Sequence, residues 1–312
     1  MTVERRSEHV PEEEKEELEE DARRRNPDRT TRREVLELDP HPSDVAPPWA
    51  EHIQGIAAGP GVWFVTQDDR VWRFPMDRDL AELDRAHPDV LTASIPEPGV
   101  NHLGDCDFSH GLLHVAMEGT TPARVGVFDG DLAYRGSAAL PEQGDSCPWC
   151  AVNPADGLVY SSRFDTDHLS VYRPRWSRTC DEAFDLEHVR DVPLVSEDGV
   201  RLSLDRVQGG AFSPVGHLYL TGDTADGGLF GIDTSSGQRV IHVVIPYEPG
   251  WPEHEVIEGV TVLDLSDGRV PWMRGQLHAL VFNADEHRPD LVWLRHFEAR
   301  VSSAQRAGTT GL

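Results

Sequence analysis

The sequence predicts an all-β protein, a five-bladed β-propeller, with six blades as the alternative. A strand, a tight turn and a second strand occur five times, most clearly from Arg206 to Asp223. The turn glycines lie 46 to 59 residues apart and are Gly61, Gly111, Gly157, Gly216 and Gly275. A repeat of this period is typical of propellers and solenoids. Gly, Pro, Asn and Asp separate the short strands, and no long periodic helix interrupts them.

Each repeat continues with further strands, except the last. Third strands are predicted at 70–74, 123–128, 169–172, 229–232 and 291–294, and fourth strands at 90–94, 133–140, 189–193 and 240–246. The last repeat supplies only three clear strands. Because the two chain ends often meet in a closed propeller, we expect the strand Val35–Leu38 to complete the last blade. Segments 174–187 and 265–274 are predicted to be surface insertions.

The predicted organisation has three parts. Residues 1–32 form an acidic, flexible arm, 33–300 a single propeller domain, and 301–312 a flexible tail. Leu18 is the only large apolar residue between Glu12 and Arg25, so a helix there would have no face to bury. The alternative for this arm is a docking peptide for a protein partner.

The composition restricts the partners. The 312 residues include 55 acidic and 29 basic ones, for a net charge of −26. Such a field repels nucleic acid and anionic membranes, so we expect neither as a partner. No apolar run approaches the ~20 residues that span a bilayer. The N-terminus has no apolar segment after its charges, which predicts a cytoplasmic location.

Two residue types limit the chemistry. Lys15 is the only lysine and lies outside the repeats, which excludes Schiff-base chemistry. Cys147 and Cys150 have the spacing of redox and zinc motifs, but they open a strand pair rather than a helix, and no second pair completes a zinc site. We interpret the cysteines as structural.

Alignment of the repeats predicts a polar ring at one mouth of the central channel. The first strand of a propeller blade lines the channel. One level of the aligned first strands contains Gln54, Gly104, Trp149, Gln208 and Glu258. The next level contains Gly55, Asp105, Cys150, Gly209 and Gly259, where glycine lets the strands approach the axis. His52, His102 and Arg206 stand two residues before the first level.

Three interpretations of this ring are open. A calcium or magnesium ion could take oxygen ligands from Asp105, Glu258, Gln54 and Gln208. A transition metal could instead be bound by His52 and His102 together with Asp105 or Glu258. The third is a network of amides, carboxylates, arginines and buried water without a ligand.

Catalytic roles follow from the same ring. With a metal, Asp105 or His102 could activate water, and Arg163 or Arg206 could hold an anionic intermediate. Without one, Asp105 and Glu258 could work as a carboxylate pair. Candidate substrate-binding residues at the mouth and at strand ends are Trp149, Glu118, Asp165, Asp223, Asn283 and Asp285.

Two repeats resemble a known group of propellers. Val256-Ile-Glu-Gly-Val with Gly275-Gln-Leu-His-Ala, and Gln208-Gly-Gly with Gly216-His-Leu-Tyr-Leu, resemble blades of the SMP-30/gluconolactonase and NHL-like group, over residues 50–298. The resemblance implies a channel-bound divalent cation that supports lactone or ester hydrolysis, with Glu258 as the metal-binding glutamate. Those enzymes usually have six blades, and their asparagine ligand has no clear counterpart in this chain.

The sequence therefore predicts an enzyme that binds a small polar molecule at the channel mouth. The expected type is a divalent-metal-dependent hydrolase of a lactone or ester, or an isomerase or lyase. The alternative is a non-catalytic scaffold that binds a protein or a ligand through one face.

Overall fold

The predicted all-β propeller is confirmed. A computed structural model describes residues 35–39, 52–77, 88–176, 184–214, 216–222, 228–244, 255–265, 273–283 and 292–300. These residues form strands and one short 3-10 turn at Pro141–Gln143. In these ranges no helix has the length and apolar character needed to cross a membrane. The expected arm at 1–32 and tail at 301–312 lie outside the described residues.

The strands form five four-stranded antiparallel sheets. The first contains β2 (Ile53–Gly59), β3 (Val62–Gln67), β4 (Arg70–Pro75) and β5 (Leu91–Ser94). The second contains β6 (His102–Ser109), β7 (Leu112–Glu118), β8 (Arg124–Asp129) and β9 (Tyr134–Ala139). The third contains β10 (Trp149–Val152), β11 (Val159–Ser162), β12 (His168–Trp176) and β13 (Phe184–Pro193).

The remaining two sheets complete the set. The fourth contains β14 (Val207–Phe212), β15 (Leu218–Gly222), β16 (Gly228–Asp233) and β17 (Gln238–Val243). The fifth contains β18 (Glu255–Asp264), β19 (Met273–Asn283), β20 (Val292–Arg300) and, beyond β20, β1 (Val35–Asp39). β1 pairs antiparallel with β20, from Val35 opposite Arg300 to Asp39 opposite His296.

The first strands of the sheets contact one another in cyclic order. β2 contacts β6, β6 contacts β10, β10 contacts β14, β14 contacts β18, and β18 contacts β2. The core follows the same order, because each hydrophobic cluster lies between two neighbouring sheets. Trp149 and Leu220, for example, pack together between the third and fourth sheets, and Trp72 and Leu280 between the first and the fifth.

Irregular pairing recurs in the first strands. Register shifts occur at Ile53/Gly55, Leu103/Cys106, Val207/Gly209 and Ile257/Val260. An irregularity of this kind re-aims side chains and increases the local twist. The four shifts fall at corresponding positions, so they turn the same level of β2, β6, β14 and β18 toward the axis.

One detail of the sequence prediction was wrong. Gly61, Gly111, Gly157 and Gly216 have positive φ, as tight turns require, but Gly275 lies inside β19 and pairs with Asp264. At 174–187 the third sheet is lengthened as expected, because β12 continues to Trp176 and β13 begins at Phe184. Residues 177–183 lie outside the described residues.

Candidate functional site

Asp105 lies on the axis, where it joins all five first strands. Its Oδ1 accepts a hydrogen bond from Ile56 N of β2 at 2.9 Å. Its Oδ2 accepts from Gly210 N of β14 at 3.0 Å and from Val260 N of β18 at 3.1 Å. The Asp105 N–H donates to the Pro148 carbonyl before β10 at 2.8 Å. The side chain is fully buried.

Glycines make room for this carboxylate. A Cβ at Gly55 or Gly259 would lie 2.5 or 2.6 Å from Asp105 Oδ1, and one at Gly209 would lie 2.8 Å from Oδ2. Real Cβ atoms do not approach oxygen so closely. The prediction that glycine at this level lets the strands crowd together is confirmed, and the space it leaves is filled by Asp105.

Asp105 is therefore a structural anchor, not the metal ligand or general base that the sequence suggested. Burial raises its pKa well above the usual range, while backbone N–H groups, first that of Val260, act in the opposite direction. Both oxygens accept hydrogen bonds from the surrounding strands. Asp105 does not line the cavity at the channel mouth.

A polar cavity of about 230 Å³ lies on the mouth side of Asp105. Its lining residues are Gln54, His102, Gly104, Glu118, Pro148, Phe164, Gln208 and Glu258. The predicted convergence of Gln54, His102, Glu118, Gln208 and Glu258 is therefore present. The cavity lining contains two carboxylates and one imidazole.

His102 is held between two carboxylates. Its Nδ1 lies 3.0 Å from Asp68 Oδ1, and its Nε2 lies 4.0 Å from Glu118 Oε2. The hydrogen bond to Asp68 raises the pKa of His102, burial acts against it, and the charges of Asp68 and Glu118 raise it further. Asp68 thus orients the ring and favours the imidazolium, and His102 lines the cavity together with Glu118.

Neighbouring side chains fix the two carboxylates. Asp68 also accepts a hydrogen bond from Gln54 Nε2 at 3.2 Å. Glu118 Oε1 accepts from the backbone N–H of Cys147 at 2.6 Å, so its other oxygen is the one nearer His102. His52 Nδ1 lies 3.6 Å from Asp68 Oδ2, but its side chain is 73% exposed. His52 therefore belongs to the rim.

Glu258 occupies the opposite side of the cavity. Its residue is 5% exposed, and its Oε1 accepts a hydrogen bond from Gln208 Nε2 at 3.4 Å. Its own carbonyl accepts from the Thr221 hydroxyl at 2.8 Å, which fixes the backbone at this point. A carboxylate so deep in a cavity gives the lining a negative character.

The third repeat is offset by one residue from the sequence alignment. Pro148 lines the cavity, whereas Trp149 is fully buried in the core and donates from Nε1 to Ser162 Oγ at 2.9 Å. Trp149 is therefore not a substrate-binding residue at the mouth. This first strand shows none of the register irregularity found at that level in the other four, which explains the offset.

The predicted arginines lie outside the cavity. Arg163 and Arg206 are exposed, and the Arg206 guanidinium carbon stands 5.9 Å from the centre of the Phe164 ring. Asp165 accepts a hydrogen bond from the Arg206 backbone N–H at 3.0 Å, which joins two sheets. Asp223, Asp285 and the side chain of Asn283 lie outside the described residues.

No metal-binding cluster is formed by the part of the chain that the structure describes. A group of three or more His, Cys, Asp or Glu side chains in a suitable arrangement does not occur there. His52 and His102 both direct Nδ1 toward Asp68, and Asp105 faces the strands. Glu258, Gln54 and Gln208 alone supply fewer than the six to eight oxygens that calcium usually takes.

Sequence reasoning missed Asp68, Pro148 and Phe164. Asp68 lies in the hairpin between β3 and β4, and its backbone carbonyl accepts from Leu103 N at 3.1 Å. It follows the last residue of β3 directly. A search of the two residues beyond each second strand would have found both Asp68 and Phe164.

The cysteines in the described ranges are structural, as predicted. Cys106, Cys147 and Cys150 are buried and form no disulfide. Burial raises the pKa of Cys147 to about 12, so a reactive thiolate is disfavoured at neutral pH. Cys180 lies outside the described residues.

Comparison with known proteins gives the following. No protein-family model and no curated protein matches this chain. Similar solved structures include a luciferin-regenerating enzyme, with 13% identity over 81% of each chain and a TM-score of 0.46. Another is a calcium-binding regucalcin from Agrobacterium tumefaciens, with 14% identity over 80% of this chain and 76% of that one and a TM-score of 0.39. A third is a protein of unknown function from Bacteroides caccae, with 12% identity, 75% and 72% coverage and a TM-score of 0.45.

With identities of 12 to 14% and TM-scores below 0.5, these structures carry no inference about the ligand or the activity of this chain.

Proposed function

We propose that this protein is an enzyme that binds a small polar molecule in the mouth cavity and transfers a proton to or from it through His102. The observation that carries the proposal is the position of His102 between Asp68 and Glu118, on the lining of the cavity. A histidine oriented by a carboxylate on one nitrogen is a common general acid–base arrangement.

Each residue has a distinct part in this proposal. His102 is the catalytic acid–base, and Asp68 is a positioning residue that holds Nδ1. Glu258 and Gln208 bind polar groups of the substrate on the opposite side of the cavity. The motifs of the repeats favour ester or lactone hydrolysis, with isomerisation as the second reaction class.

A divalent metal has no step in this mechanism, because the described residues do not fit one. Of the six residues suggested as ligands, Asp105 binds backbone N–H groups at the axis and His52 lies at the rim, and the four that line the cavity include only two His or carboxylate side chains, His102 and Glu258. Metal analysis of the purified protein, with melting curves in the presence and absence of EDTA, tests this point. A stoichiometric metal whose removal lowers the melting temperature would replace the proposal with the metal-dependent hydrolase.

The direct test is the titration of His102 by NMR. The pKa of His102 should lie above 6.5 and should fall in Asp68→Asn. The raised pKa means that the stability from this pair is complete below pH 6.5 and is lost as pH rises through the folded-state value. His168, which pairs with Asp167 at 2.7 Å at the start of β12, is the matched control, and Asp68→Asn should not change its NMR signal.

Activity is the second readout. In a screen of aryl esters and lactones, His102→Gln should lower kcat/KM by about 10²-fold or more for any substrate that is turned over, and His168→Gln should leave it unchanged. Equal activity in His102→Gln and wild type would contradict the proposal. A scaffold would turn over none of these compounds and would depend on its surface or on residues 1–32 to bind a protein partner.

We also propose that the five sheets are the blades of one closed ring and that β1 is its closing strand. The cyclic contacts of the first strands and the pairing of β1 with β20 support this arrangement.

A further inference from the structure

A second cavity, of about 520 Å³, lies at the other end of the channel. It is bordered by the ends of all five first strands, and its wall includes Ala58, Phe108, Val152, Phe212 and Val262. The buried side chain of Asp105 lies between it and the mouth. Its volume falls within the 300–1,000 Å³ range typical of small-molecule sites.

Asp107 is one of two carboxylates that line this cavity; the other is Asp264, and His110 adds an imidazole. Asp107 follows Asp105 by two residues on β6, and its Oδ2 accepts a hydrogen bond from Val152 N at 2.7 Å. In the fifth sheet the Thr261 hydroxyl makes the corresponding bridge, accepting from Ala58 N at 2.9 Å. A hydroxyl therefore suffices for the structural bridge, and the carboxylate at Asp107 adds a negative charge that the bridge does not need.

Aromatic side chains lie beside Asp107, which is itself half-buried. Phe108 and Phe212 line the same cavity, and no Arg, Lys or His within the described ranges forms an ion pair with Asp107. Burial raises the pKa of Asp107 to about 6, against the effect of the Val152 and Phe108 N–H groups. A half-buried carboxylate is partly desolvated, and a cationic ligand would offset the free-energy cost of that desolvation.

We propose that this second cavity binds a small organic cation, an amine or quaternary ammonium with apolar substituents, with Asp107 as its counter-ion. Phe108 and Phe212 supply aromatic surface for the apolar part and for cation–π contact. This site is independent of the proposed acid–base chemistry, because it lies at the opposite end of the channel and uses none of the mouth residues.

The test uses benzyltrimethylammonium, whose charge does not depend on pH, and its neutral isostere neopentylbenzene. Calorimetric titration of the full-length protein at pH 8 should show saturable binding of the cation. Asp107→Asn and Asp107→Thr retain an acceptor for Val152 N and should weaken that binding about tenfold or more. Glu258→Gln, at the mouth, should leave it unchanged.

The pH dependence gives an independent readout. In the wild type, affinity for the cation should rise as pH increases through about 6, where Asp107 ionises, and the rise should be absent in Asp107→Asn. The other titratable groups near this end are His110, Asp264 and His114, and burial lowers the pKa of His114 to about 4. All three are present in both proteins, so their difference isolates Asp107.

Three results would overturn the proposal. They are the absence of saturable binding by the cation, equal affinity for neopentylbenzene, and equal affinity in wild type and Asp107→Asn. Because none of these measurements involves His102, they leave the proposed acid–base function unaffected.

Discussion

Asp105 occupies a place where only one side chain fits. Three backbone N–H groups from three different sheets converge on its two oxygens, and glycines surround it. Asp105 therefore stabilises the contacts among the sheets, because the loss of the carboxylate would leave several buried N–H donors without an acceptor.

We expect Asp105→Ala to lower the free energy of unfolding by on the order of 3 to 5 kcal/mol. Asp105→Asn should also destabilise, because its amide NH₂ would face at least one backbone N–H. Chemical denaturation measures both changes. Asp131→Ala, at an exposed turn, is the control and should change stability by less than about 0.5 kcal/mol.

A loss of under about 1 kcal/mol in both Asp105 variants would contradict the anchoring role. Retained stability in Asp105→Asn alone would mean that the protonated acid, which has one donor and one acceptor oxygen, is the form that the strands bind.

The sequence predicted which residues line the mouth cavity better than it predicted what those residues do. Gln54, Gln208 and Glu258 were found because the repeats align, and alignment reports position along a strand. It does not report which carboxylate oxygens already accept hydrogen bonds, so the sequence alone suggested that Asp105 is a metal ligand or general base. Trp149 was misplaced because its strand lacks the irregularity that shifts the other repeats.

At the scale of the element, the irregular first strands and the edge strand β1 matter most. The register shifts turn the same level of four strands toward the axis, and the sequence signals them only through glycine. β1 was predictable from the count of strands in the last repeat, and its observed pairing with β20 covers the outer edge of that sheet.

Removal of β1 should therefore destabilise the whole protein. A chain that begins at residue 40 should melt about 5 °C or more below one that begins at residue 35, because the edge of β20 loses its backbone hydrogen bonds. The chain that begins at residue 35 controls for loss of the acidic N-terminal segment. Equal melting temperatures, measured by circular dichroism, would show that β1 does not close the ring.

At the scale of the molecule, periodicity predicted the propeller, and composition predicted its charge. The spacing of the turn glycines was sufficient for the architecture, since four of the five have the positive φ of a tight turn. The second cavity was not predictable, because no repeat position specifies it.

The net charge of −26 predicts a dependence of stability on salt. Between 0.01 M and 0.15 M NaCl the Debye length falls from about 30 Å to about 8 Å, which screens repulsion among the carboxylates. The melting temperature should rise by a few degrees over this range and equally in KCl. A decrease would mean that attractive ion pairs outweigh the repulsion.

The single carboxylate at the axis also limits which of the five repeats can be duplicated. A duplicated second repeat would bring two carboxylates to a space that holds one, whereas a duplicated first or fourth repeat would bring glycine. The blades of this propeller are thus alike in outline but not interchangeable. A recombined or permuted chain should fold only if it retains one, and only one, copy of Asp105.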